Sequence, residues 1–226
     1  MAWTAGSFLD RLDAAPRQEL LGLGTTRTIP ANSRIFTEGG QDDHVELIQR
    51  GFVKVTTTVS GLEQLLAVRL PGDLVGELAA VTGSDRSATV TACGEVVSTV
   101  VTRAVFLAFL QRRPAVAHEV TAAVGRRLRW ANTRRADFTA YPVDVRLARV
   151  LAELAVTCGT DNGDGILIGV PMSQPELATL IGAAEDTVQR ALRTLRSAGL
   201  LRTGYKRVTV TDVDGLRAYD NEDHQQ

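Results

Sequence analysis

The chain has 226 residues, 44% of them hydrophobic, and a formal net charge of −1, which suits two globular domains with ordinary cores. Its two cysteines, Cys93 and Cys158, lie far apart and in no CxxC pair, which excludes a disulfide framework, a structural zinc and an iron–sulfur cluster. The start MAWTAGSFLDRLDAA lacks a signal-peptide pattern and no run of about 18 apolar residues occurs, so a cytoplasmic protein with no membrane span is expected.

Taken in chain order, Phe8, Leu9 and Leu12 predict a short amphipathic helix, with Pro16 opening a second turn. From Thr28 to about Val101 short β-rich runs follow (VELIQ, FVKVTTTV, LLAVRL, ATVTA, VVSTVV), separated by Gly39-Gly40, Gly51, Gly61, Pro71-Gly72 and Gly94. That texture predicts an all-β roll, barrel or sandwich. Pro114 suits a helix's first turn, and the stretch onward to Phe138 has heptad spacing. Ala117, Val124, Ala131 and Phe138 form one seam position and Thr121, Leu128 and Arg135 the other, so a second copy of the helix is the expected partner. Pro142 marks a hinge. A helix over VRLARVLAELAV comes next, then the loop CGTDNGDG. Placing Gly165 at the glycine of a calcium loop puts Pro171 where a bidentate glutamate is needed, so the loop reads as a turn. Two helices and a strand pair complete the chain.

Charge is unevenly spread. Nine acids face five bases between Thr28 and Val100, whereas Thr187 to Arg207 holds six bases (Arg190, Arg193, Arg196, Arg202, Lys206, Arg207) and no acid. The back of the chain is therefore where a polyanion would bind. Its sequence has the form a tight helix-turn-helix requires. Ala178 lets two helices approach, Gly182 permits a left-handed turn, and Val188 packs the second helix on the first. Leu200-Leu201, the basic tip TGYKR and VTV then make a wing, with Lys206 and Arg207 toward phosphates.

The second informative stretch is PGDLVGELAAVTGSDRSATVTA, residues 71–92. Gly76 allows close backbone approach, and a helix N-terminus offers N–H groups to a phosphate. Arg86 can fork onto phosphate oxygens, Ser87 can donate, and Glu77 can accept from a ribose hydroxyl. A surface ion pair between Glu77 and Arg86 is the competing account.

These residues carry a resemblance over nearly the whole chain to the cyclic-AMP receptor/FNR-type (CRP/FNR) regulators. Gly76, Glu77, Leu78, Arg86 and Ser87 match the GEL…RSA phosphate-binding motif of that family, and LATLIGAAEDTVQRALRTLRSAGLL resembles its helix-turn-helix. The resemblance implies an α+β fold in three parts: a cyclic-nucleotide-binding β-roll (1–110), a dimerisation helix and hinge (111–141), and a winged helix-turn-helix (142–226). It further implies a homodimer on a double-stranded DNA operator, in contact with RNA polymerase, with no catalytic, metal or covalent cofactor site. Two departures stand out. The threonine–serine pair that reads adenine is here Ala131-Asn132, leaving only Asn132 able to hydrogen-bond. Cyclic AMP is the first expectation, and cyclic GMP, a cyclic dinucleotide, haem or a gas, or no effector stay open. In the recognition helix Glu185-Asp186 replace the common arginine–glutamate pair. The expected DNA contacts are Ser173, Gln174, Glu185, Asp186, Thr187, Gln189, Arg190, Arg193, Lys206 and Arg207. A nucleotide-regulated enzyme is the rival of another class. Against it, no activated nucleophile is visible, and His44, His118 and His224 are scattered.

Overall fold

The computed structural model describes residues 3–219, so His224 lies outside the described residues. The chain divides into two compact units after Leu128. The N-terminal unit runs α1 (Ala14–Gly22), β1 (Thr25–Ile29), β2 (Arg34–Phe36), β3 (Val45–Arg50), β4 (Val53–Val59), β5 (Leu62–Arg69), β6 (Leu74–Val75), α2 (Glu77–Thr82), β7 (Thr89–Ala92), β8 (Val96–Val101) and α3 (Arg103–Arg112). Its strands form two four-stranded antiparallel sheets, ordered β1-β8-β3-β6 and β2-β7-β4-β5. Strand alternation sorts their side chains. Along β3, Ile48 joins Phe36, Val53, Val75, Val90 and Val96 in a core shared by both sheets. Val45 and Leu47, on the other face, join Leu20 of α1, Phe106 and Phe109 of α3, and Val116, Val120 and Ala123.

Those last three belong to α4 (Pro114–Ala140), which continues past the division between the units. The residue before a proline disfavours helix, and Arg113 (φ −125, ψ 73) accordingly breaks α3 from α4. The face of α4 carrying Val116, Val120 and Ala123 is buried in the roll, whereas Thr121, Leu128, Ala131 and Arg135 on the heptad seam are exposed.

The N-terminal segment corrects one expectation. Phe8, Leu9 and Leu12 are buried, but they lie in turns, and helix starts only at Ala14. The Leu9 N–H donates to the Gly72 carbonyl (2.8 Å) and the Thr4 N–H to Pro71 (3.2 Å), and only isolated turn bonds such as Ser7 N–H to Thr4 (3.0 Å) and Leu12 N–H to Leu9 (3.3 Å) run within the segment, so its backbone is tied to the 71–72 turn without a helical ladder. Apolar spacing reports burial, and here the hydrogen bonds decide the conformation.

The C-terminal unit contains α5 (Val143–Cys158), β9 (Gly159–Asp161), β10 (Ile166–Ile168), α6 (Gln174–Ile181), α7 (Glu185–Ser197), β11 (Leu201–Gly204), β12 (Arg207–Val210) and α8 (Val213–Ala218). Its sheet runs β11-β12-β10-β9. The loop 158–165, expected to be a simple turn, joins the β9–β10 hairpin, whose strands are too short to show a period. Its polar groups serve the turn itself: Asp161 Oδ1 accepts from the Gly163 N–H (2.8 Å) and Asn162 Oδ1 from the Asp164 N–H (3.1 Å). No group of three or more His, Cys, Asp or Glu able to hold a metal occurs among the described residues.

Candidate functional site

Two sites emerge, one in each unit. In the N-terminal unit a cavity of about 250 Å³ is lined by Phe36, Val55, Arg69, Val75, Val90 and the segments 76–79 and 86–88, with Val124, Arg127 and Leu128 of α4. The folded chain thus brings together Gly76, Glu77, Leu78, Arg86 and Ser87. Gly76 is required twice over. Its φ of +82° is left-handed, and a Cβ there would lie 2.6 Å from Arg86 Nη1 and 2.9 Å from the His44 carbonyl oxygen. α2 has only six residues, so it offers a phosphate N–H groups without much dipole.

Arg86 is 4% exposed and its guanidinium makes four hydrogen bonds. Nε (3.0 Å) and Nη2 (2.7 Å) donate to Asp42 Oδ2, Nη2 donates to the His44 carbonyl (2.6 Å), and Nη1 to the Gly76 carbonyl (3.0 Å). The guanidinium also lies 3.7 Å over the Phe36 ring. Glu77, 7% exposed, pairs through Oε1 with Arg127, which also donates to the Leu74 carbonyl. Glu77 and Arg86 therefore do not neutralise each other. Each is held by a separate partner, with Ser87 exposed beside them and Leu78 (45% exposed) at the rim. Arg127, Asp42, Phe36 and Arg69 went unassigned in the sequence, because nothing local links residues so far apart. Ala131 and Asn132 sit exposed on α4, outside the residues that line this cavity.

Beside it in the roll, Glu46 is fully buried. Burial raises its carboxyl pKa, but hydrogen bonds with His44, Ser98 and Arg27 and the Arg27 charge outweigh that, leaving it below the usual carboxylate range.

In the C-terminal unit α6 and α7 form the helix-turn-helix. A capping box starts α6: the Glu176 N–H donates to Ser173 Oγ (3.4 Å) and the Ser173 N–H to Glu176 Oε2 (2.7 Å). Gly182 ends α6 at φ +62°, and a Cβ there would meet the Phe138 ring at 2.9 Å. Arg146 of α5 reaches the same turn, Nη1 donating to the Ile181 (2.9 Å) and Gly182 (3.1 Å) carbonyls. It thereby satisfies carbonyls that a helix end leaves free. On α7, Val188, Ala191, Leu192 and Leu195 are buried, and Glu185, Asp186, Gln189, Arg190, Arg193 and Arg196 are exposed. The i, i+3, i+4, i+7 stripe that anchors the helix leaves its charged face free.

A groove of about 580 Å³ lies between α7, the start of α6 and the β11–β12 wing. It gathers Ser173, Gln174, Glu185, Gln189, Arg193, Lys206 and Arg207, together with Arg196 and Tyr205. Asp186, Thr187 and Arg190 lie outside that lining, with Arg190 Nη2 donating to Thr187 Oγ1 (3.2 Å). Ser173 is already committed to the capping box. Tyr205, 87% exposed at the wing tip, had no sequence signal beyond its place in TGYKR.

Residues 26–113 match the cyclic nucleotide-binding domain family and residues 145–219 the Crp-like helix-turn-helix domain family. The CRP-like cAMP-activated global transcriptional regulator of Mycobacterium tuberculosis is 30% identical, over 83% of this chain and 84% of its own. The chain belongs to the CRP/FNR family of transcription regulators. As a CRP/FNR regulator it carries a cyclic nucleotide-binding domain ahead of a DNA-binding helix-turn-helix. FixK2 from Bradyrhizobium japonicum matches with a TM-score of 0.75, covering 87% of this chain and 97% of its own. The c-di-GMP responsive global regulator CLP of Xanthomonas campestris matches at 0.74, covering 88% and 99%. At 23% and 20% identity these two speak to the fold alone. In this CRP/FNR chain burial pushes the Cys158 thiol up to about 11. No described helix is long and apolar enough to cross a membrane.

Proposed function

We propose that this chain is a cytoplasmic, homodimeric regulator whose grip on a DNA operator is set by a cyclic nucleotide, with cyclic AMP as the first candidate. The observation that carries the reading is the cavity where Gly76, Glu77, Arg86 and Ser87 converge, in a chain that also presents a basic helix-turn-helix groove. Arg86 and Ser87 would hold the phosphate and Glu77 the ribose, with Leu78 against the sugar. Asn132 would be offered to the base from α4. A ligand phosphate would compete with Asp42 for Arg86, so binding would exchange one anion for another without leaving the arginine unpaired.

In this reading residues 1–110 sense, 111–141 dimerise and transmit, and 142–226 bind DNA and present the regulator to RNA polymerase. The exposed Leu128 and Ala131 on the seam of α4 support pairing with a second copy, which would space two recognition helices for successive major grooves. The relative from Mycobacterium tuberculosis, named as cAMP-activated, supports cyclic AMP. Ala131 in place of a hydrogen-bonding residue favours a base contact weaker than in that arrangement.

The test is calorimetric titration of nucleotide-free protein with cyclic AMP, cyclic GMP and cyclic dinucleotides, paired with operator binding with and without each ligand. Cyclic AMP should bind and should change operator affinity. Binding without any change in DNA affinity would reject effector control, and binding by none of them would reject the nucleotide reading.

A further inference from the structure

The charged residues that line the effector cavity are three arginines, Arg69, Arg86 and Arg127, and one carboxylate, Glu77. Two of the arginines have anionic partners. Arg86 lies on Asp42 at 2.7 Å, and Arg127 is paired with Glu77. Arg69 is different. It closes β5, opposite Val53 of β4, and among the described residues no carboxylate comes within ion-pair distance of it. Its Nη1 reaches only the neighbouring Val68 carbonyl, at 3.2 Å. The two carboxylates whose charge it feels are both occupied: Asp73 accepts from the Leu70 N–H at 2.9 Å, and Glu77 accepts from Arg127.

A cation facing a cavity without a counter-charge is costly unless something anionic comes to it. Burial, and after it the nearby Arg127 charge, push the Arg69 guanidinium down to about 10, and Asp73 and Glu77 offset this only in part. The group still carries its charge at neutral pH. One phosphate is provided for by Arg86 and Ser87, and Arg69 is an additional cation beyond that requirement.

Resting on the nucleotide reading above but departing from cyclic AMP as its first candidate, we infer that the preferred ligand of this pocket carries two phosphoryl groups, the first on Arg86 and Ser87 and the second on Arg69. A cyclic dinucleotide and a mononucleotide 3′,5′-bisphosphate both have that chemistry. The cavity of about 250 Å³ lies below the roughly 300–1,000 Å³ of drug-sized pockets, so a ligand larger than one nucleotide is not fully enclosed. In a cyclic dinucleotide the second nucleoside would extend past the rim.

The experiment is isothermal titration of nucleotide-free full-length protein with cyclic AMP, cyclic di-AMP, cyclic di-GMP and adenosine 3′,5′-bisphosphate, using wild type, Arg69→Met and Arg69→Lys, each checked for folding by thermal melting. At least one two-phosphoryl ligand should bind wild type about tenfold more tightly than cyclic AMP, and the one that does identifies the source. Arg69→Met should abolish that advantage by weakening the two-phosphoryl ligand about tenfold more than it weakens cyclic AMP, and Arg69→Lys should keep most of it. Cyclic AMP binding wild type as tightly as the others would overturn the inference and leave the nucleotide reading standing. So would an advantage that survives in Arg69→Met. If no nucleotide binds, the nucleotide reading fails and this inference falls with it. The wild-type ranking alone decides the matter if Arg69→Met does not fold.

Discussion

Arg86 shows how much a single site residue can be asked to do. Its guanidinium closes a network on Asp42, His44 and Gly76 while lining the cavity proposed to hold a phosphate. Arg86→Ala should therefore lower both stability and nucleotide affinity, the latter by about 2–4 kcal/mol, because charge-assisted bonds are lost from each. Ser87 is exposed and joins no such network, so Ser87→Ala should weaken binding by about 1 kcal/mol and leave the melting temperature unchanged. Titration and thermal melting of the two variants separate the roles. Glu46 is the second revealing residue. Its folded-state pKa is lowered, so its contribution to stability is present above its ordinary value of 4.5 and is lost as pH falls through the lower folded value. Arg27→Met removes the cation from that buried carboxylate. The variant should be destabilised at neutral pH by about 2–4 kcal/mol and should begin acid unfolding at higher pH than wild type, read by circular dichroism across an acid titration. An unchanged acid midpoint would mean that Ser98 and His44 suffice.

At the scale of elements, the turn of the helix-turn-helix is the most constrained feature. Gly182 combines a left-handed φ with the Phe138 ring at 2.9 Å from where a Cβ would sit. Gly182→Ala should cost about 2 kcal/mol or more, with DNA binding failing in proportion, and chemical denaturation would measure it. Phe138, which closes the predicted heptad seam, packs beside this turn 5.6 Å from the Arg146 guanidinium and is still 40% exposed. The recognition helix and wing should divide their labour. Glu185 lines the groove at the N-terminal end of α7 and can accept from cytosine N4, whereas Lys206 at the wing tip is expected to meet phosphate. Glu185→Ala should flatten preference at one symmetric base pair by roughly 1–3 kcal/mol. Lys206→Ala should weaken all sites alike and reduce the salt slope by about 1. Selection from random duplexes with each variant tests both. Unaltered base preference in Glu185→Ala would reduce that residue to a first-turn acid.

For the whole molecule, the long helix α4 is the element that bears on assembly. One face of α4 is buried in the roll through Val116, Val120 and Ala123, and Leu128 on the seam is 60% exposed. Leaving an exposed leucine in a heptad register makes sense if a second copy covers it. Light scattering at micromolar concentration should give a dimer with or without ligand, and Leu128→Asp should shift it to monomer without changing the circular dichroism spectrum. A wild-type monomer would remove the basis for a two-fold operator.

Much of this is legible in the sequence. The β-rich texture up to Val101, the heptad of α4, the Ala178–Gly182–Val188 spacing and the segment from Gly76 to Ser87 are local patterns, and local patterns are written in sequence. The second helix expected of the helix-turn-helix is α7, Glu185–Ser197, with Ala184 as its N-cap. What only the tertiary structure decided is of another kind. That Arg86 answers to Asp42, Glu77 to Arg127, Gly182 to Phe138 and Arg146 to the end of α6 depends on long loops closing at particular registers. The same holds for Phe8 and Leu9, whose spacing announced burial but whose backbone is held by Gly72 in turns. Residue type and spacing set which groups must be buried or charged, and the partner of each buried charge is chosen by geometry that no short stretch of chain contains.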